Sequence, residues 1–138
     1  MNLESAVRLA GLGQLALAAA STAIPFVLRW RRETAGLRPL LRQLFCVYAG
    51  YILGFHVAFG LLSLLAPGWL LDGSGLAGAV SGFIATYWGV RLVLQFTYLD
   101  RRDAPQGPWF RAAETALVSL FVFLSVTYTS ALVTNLAR

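Results

Sequence analysis

Four apolar stretches separated by short polar connectors account for nearly all of this 138-residue chain. They run from about Leu3 to Leu28, Leu40 to Ala66, Gly75 to Tyr98 and Trp109 to Leu136. Each is longer than the ~20 residues that an α-helix needs to cross about 30 Å of hydrocarbon. A helix satisfies its own backbone polar groups in that medium, which an irregular segment does not. The pattern therefore predicts an all-α polytopic membrane protein, a four-transmembrane-helix bundle forming a single membrane domain over residues 1–138. The connectors are Arg29 to Pro39, Pro67 to Ser74 and Leu99 to Pro108. The first stretch reads as a true span, not a cleaved leader. Its start carries Glu4 beside Arg8, and its strong positive cluster, Arg29, Arg31 and Arg32, follows the apolar run instead of preceding it.

Charge placement adds an orientation. The first connector holds Arg29, Arg31, Arg32 and Arg38, with Arg42 just inside the next span; the third holds Arg101 and Arg102, with Arg111 beyond. The middle connector has only Asp72. Because basic residues are retained in cytoplasmic loops, both Arg-rich connectors are expected in the cytoplasm and both termini outside, in a bacterial inner membrane. Trp30, Trp69 and Trp109 fall near span ends, where indole rings favour the headgroup region.

Composition agrees. Hydrophobic residues make up 58% and charged residues 12%, about half the charged share of a soluble domain, and the mean hydropathy is +0.68. The net charge of +5 does not imply a nucleic-acid partner, because no basic face exists outside the connectors. One cysteine, Cys46, excludes an intrachain disulfide, and one Cys with one His falls short of a zinc site.

Helices in lipid associate through close packing of small residues. Gly50 and Gly54 on the second span and Gly78, Gly82 and Gly89 on the third form small stripes at helical spacing. The short loop between these spans makes them expected antiparallel neighbours in contact through those glycines. A second small stripe on the second span (Ala49, His56, Gly60, Ser63) suggests a central place for that helix.

Candidate chemistry centres on Arg91, about 10 Å inside the third span, a costly place for a charge. Tyr87, Trp88, Gln95 and Tyr98 share its face, and Glu114, entering the fourth span from the same side, is the expected ion-pair partner. His56, past the middle of the second span, could bond a neighbouring hydroxyl or serve a haem or quinone. Counting along the spans puts it too far from Arg91 for one compact site. Hydroxyls along the fourth span are expected to bond other helices. No phosphate loop, HExxH, GxSxG or paired intramembrane carboxylate appears, so nothing suggests an enzyme, a metal or a resident cofactor. The reading this favours is a non-catalytic membrane subunit or interaction partner, surrounded by lipid and packed against other membrane subunits or copies of itself. The alternatives are a small oligomeric transporter or channel for an anionic or amphipathic solute using Arg91, and a redox subunit using His56.

Overall fold

The computed structural model describes all 138 residues, with helices and no strands. Helix α1 spans Leu3–Ser21, followed by two single-turn pieces, α2 (Ile24–Val27) and α3 (Trp30–Glu33). Helix α4 spans Pro39–Leu65, a 3₁₀ turn spans Pro67–Leu70, and α5 (Gly75–Thr97) and α6 (Pro108–Leu136) complete the chain. Four segments (Leu3–Val27, Pro39–Leu65, Gly75–Thr97 and Pro108–Leu136) are long and apolar enough to cross a membrane. This is an all-α, integral membrane protein.

Local sequence explains the ends. The Asn2 side chain accepts from the Ser5 N–H at 2.8 Å to start α1, and the Ser74 hydroxyl accepts from Ala77 at 3.0 Å to start α5. Pro39 and Pro108 occupy first-turn positions of α4 and α6, where a missing N–H costs nothing. The first span is not continuous. Pro25 has no N–H to give the Ser21 carbonyl, and α1 ends there; Thr22 and Ala23 close tighter turns onto Ala19 and Ala20. Arg29 then turns the chain with φ of 51°, the only non-glycine residue in the left-handed region.

The helices pair as two antiparallel hairpins, α1 on α4 and α5 on α6, with α1 also lying against α6. The backbones of α4 and α5 do not pack along one another. This corrects the expected glycine contact between them. An added Cβ at Gly50, Gly54 or Gly89 would meet nothing within 4 Å, while Gly78 faces Asn135 and Gly82 faces Leu132, both on α6. The close backbone approach is elsewhere, at Gly11 on α1 and Gly60 on α4. A Cβ at Gly11 would lie 2.8 Å from the Gly60 carbonyl oxygen. Helices α1 and α6 therefore take the central place expected of α4. What joins α4 to α5 is a set of aromatic side chains, Phe55 and Phe59 against Phe83 and Tyr87.

The two ends of the bundle differ. At the Asp72 end it is closed. Leu70, Ile84 and Leu124 are 1%, 0% and 0% exposed. Asn135 donates to the Leu70 carbonyl at 2.8 Å and accepts from Gly73 N–H at 3.0 Å, and the Arg138 guanidinium donates to the Leu71 carbonyl. At the end bearing the Arg-rich connectors it is open. Between Pro39 and Phe55 only Ala49 and Leu53 of α4 are even partly covered.

Candidate functional site: an arginine-lined cavity between the hairpins

Where the hairpins diverge they leave a half-open cavity of about 1070 Å³, at the upper end of the range of ligand pockets. It extends from His56, Trp88 and Phe121 in the middle of the bundle to Arg31, Thr34 and Arg42 at the basic end. Leu17, Ile24, Phe45, Ile52, Leu53 and Leu117 make apolar walls. Its charged lining residues are all arginines (Arg31, Arg42 and Arg91), and no Asp or Glu faces it.

The floor rests on a buried polar network linking four helices, α1, α4, α5 and α6. Gln14 donates to the Tyr128 hydroxyl at 2.5 Å and accepts from the Trp88 indole N–H at 3.2 Å, and the Ser63 and Tyr128 hydroxyls share a hydrogen bond at 2.5 Å. All four side chains are fully buried, so each bond exchanges no water and fixes the ring of Trp88. Two rings lie roughly parallel to Trp88: His56, with centroids 4.9 Å apart, and Phe121 at 5.4 Å. The Nε2 of His56 shares a 2.9 Å hydrogen bond with the Tyr87 hydroxyl, while its Nδ1 is buried without a partner. A haem or quinone ligated through Nε2 would have to displace Tyr87.

Arg91 is half-buried on the wall above this floor. Its guanidinium lies 4.9 Å from the centre of the Phe121 ring and gives one Nη1 hydrogen bond to the Gln95 side-chain oxygen at 3.0 Å. None of the chain's three ion pairs includes it. The expected Arg91–Glu114 pair is not formed: Glu114 pairs with Arg101 instead. The connector 98–107 folds back so that Arg101 meets the first turns of α6, and a guanidinium there reaches the carboxylate without entering the hydrocarbon. Nearby, the Arg102 guanidinium and then its backbone N–H donate to Asp100 and hold that exposed carboxyl below its ordinary range.

The structure brings His56 and Arg91 to one cavity, contrary to the spacing expected from the sequence. Counting from span ends assumed that all helices begin at one level. In fact His56 lies 17 residues into α4, about 25 Å, whereas Trp88 beside it is nine residues, about 14 Å, from the end of α5. Helix α4 overshoots α5 by roughly 10 Å at the basic end, and the offset erases the apparent depth difference. Of the other candidates, Trp88 lines the cavity, Tyr87 and Gln95 hold His56 and Arg91, and Tyr98 and Glu114 lie outside it. Tyr98 is 79% exposed. The α6 hydroxyls of Thr115, Ser130 and Thr134 bond carbonyls one turn back on their own helix, not a neighbour. Phe121 carries no sequence signal that would mark it as part of a site; Gln14 is polar within an apolar span, a signal that does not say what it bonds. Arg31 and Arg42 were fully explained as topology signals, which hid their place at the cavity's mouth.

Searches of protein-family models, curated proteins and solved structures each find nothing that matches this chain.

Proposed function

We propose that this protein is a membrane-embedded binding protein for an amphipathic anion, with the acidic group on Arg91 and the apolar body along the cavity walls. The observation that carries this is the lining: a large, mostly apolar cavity whose only charges are arginines, with Arg91 free of any carboxylate. A guanidinium kept in hydrocarbon without a counter-ion is unfavourable, and a bound anion relieves it. Binding has more support than conduction, because beyond the floor Leu70, Ile84 and Leu124 fill the Asp72 end. No chemical step is assigned: the cavity's thiol and imidazole, Cys46 and His56, stand ten residues apart along α4, about 15 Å, and no cluster of metal-ligating residues faces it. Titration of a dansyl-labelled fatty amphiphile into the reconstituted protein tests the reading. Loss of a charge-assisted hydrogen bond is worth about 1.5–3 kcal/mol, so Arg91→Gln is expected to weaken binding by about 10- to 100-fold. Equal affinity in both proteins removes the proposal.

The same reading places the Arg-rich connectors in the cytoplasm of a bacterial inner membrane, so the cavity opens toward the inner leaflet. The support is the asymmetry of basic residues between connectors. In a Cys46→Ala background, Asp72→Cys and Arg101→Cys should label from opposite sides of a sealed vesicle; labelling from one side refutes the orientation.

A second reading, a non-catalytic subunit of a larger membrane assembly, draws on the bare Gly50 and Gly54, a small-residue face of the kind that seats another helix. Native mass spectrometry from a gentle detergent separates the two. A co-purifying chain favours the subunit, and a monomer with a small adduct favours the binding protein.

A further inference from the structure

Resting on the amphipathic-anion reading, we infer that the ligand is a single-chain amphiphile bearing one negative charge, the class of long-chain carboxylic acids, and not a phosphate monoester. The argument is a charge count made at the depth where the acid sits. His56 stacks on Trp88, and Arg91 is three residues further toward the basic end of α5, so on the antiparallel α4 its level is that of Leu53. Arg42 lies eleven residues from Leu53 along α4, about 16 Å, and Arg31 follows Trp30, which packs on Phe45 eight residues from Leu53, about 12 Å; both stand at the mouth, away from a group held on Arg91. One guanidinium is therefore the whole positive charge of the inner half of the cavity. A carboxylate matches it one for one. A phosphate monoester, with a charge of about −1.5 to −2 at neutral pH, would leave an uncompensated charge among Phe121, Leu53 and Leu117.

Donor geometry agrees. Gln95 occupies a single Nη1 proton of Arg91, which leaves the Nε and Nη2 edge free for the two parallel bonds that a carboxylate accepts from a guanidinium. The remaining wall toward the mouth is apolar through Leu53, Ile52 and Phe45, suited to a hydrocarbon chain. Cys46, the chain's only cysteine, is exposed and lines this same stretch. It sits seven residues from Leu53, so a chain anchored at Arg91 covers it after extending about 10 Å.

Maleimide labelling of Cys46 in phosphatidylcholine nanodiscs at mildly alkaline pH reads occupancy without any substitution. Hexadecanoate is expected to slow labelling by at least about tenfold, and hexadecyl phosphate, hexadecanol and butyrate by less than about twofold. Equal protection by hexadecyl phosphate and hexadecanoate, with none from hexadecanol, overturns the single-charge inference and leaves the anion reading standing. Protection by hexadecanol equal to that by hexadecanoate overturns both, as does a series in which no probe protects. Protection by butyrate equal to that by hexadecanoate overturns the long-chain assignment. In Arg91→Gln the hexadecanoate effect should vanish; an undiminished effect overturns the inference.

Discussion

Substituting Gly11 by alanine probes the seam on which the first hairpin depends. The new Cβ would lie 2.8 Å from both the Gly60 carbonyl oxygen and the Leu64 nitrogen, and 3.1 Å from the Ser63 Cβ. Two of these are backbone atoms of α4, so no rotamer change relieves them and the helices must separate. Reaching ordinary contact at 3.4 Å requires 3.4 − 2.8 = 0.6 Å, enough to loosen dispersion contacts along the seam and to stretch the Arg8 bond to the Leu64 carbonyl, now 3.1 Å. Overpacking of this kind costs about 1–3 kcal/mol. Alanine's higher helix propensity returns roughly 0.5–1 kcal/mol. The net expectation is a loss centred on about 1 kcal/mol, within a range of roughly 0–2.5 kcal/mol. Gly54→Ala supplies the control, since its Cβ meets nothing and only the propensity gain remains. Unfolding in mixed micelles by increasing dodecyl sulfate, followed by tryptophan fluorescence, gives both midpoints. The reasoning is refuted if Gly11→Ala unfolds with Gly54→Ala or if Gly54→Ala is the more damaged of the two.

Other substitutions test separate parts of the structure. Gln14→Leu deletes the bonds to Tyr128 and Trp88 and should lower stability by about 1–2 kcal/mol at roughly 0.6 kcal/mol or more per interhelical bond; an unchanged unfolding midpoint would mean the network is not a structural tie. A double-mutant cycle on Arg101 and Glu114 should give a coupling of about 0.2–1 kcal/mol, as for other exposed pairs, and the cycle on Arg91 and Glu114 should give none. Coupling in the second cycle and not the first would restore the pairing that the structure replaces. Tyr87→Phe removes the only partner of His56 and should cost about 0.5–1.5 kcal/mol, read by the same dodecyl sulfate titration.

The fold was legible because the bilayer sets a length and a polarity that four segments of this chain meet, and because Pro39, Pro67, Ser74 and Pro108 punctuate them. Arrangement within the membrane was less so. The glycine stripes on α4 and α5 have the spacing of a packing motif, but spacing says which residues share a face, not what that face meets. Gly11 and Gly60 make the close crossing, and they are distant in sequence. Arg91 stood out because a charge in an apolar helix is conspicuous wherever it points. Its neighbours across the cavity, His56 and Phe121, depend on how far α4 and α6 are displaced along the bundle axis relative to α5, and residue counting along one helix does not contain that displacement. The Glu114 pairing failed for a local reason: the 98–107 connector supplies Arg101, a nearer guanidinium that avoids the hydrocarbon.

The claim that an acidic amphiphile occupies the cavity through Arg91 meets its most direct test in native mass spectrometry of protein released from nanodiscs made of native membrane lipid. The wild-type chain should carry one acidic single-chain adduct per copy, and Arg91→Gln, with its helical circular dichroism intact, should lose it. A bare wild-type protein, or the same adduct at the same occupancy in the variant, would contradict the account.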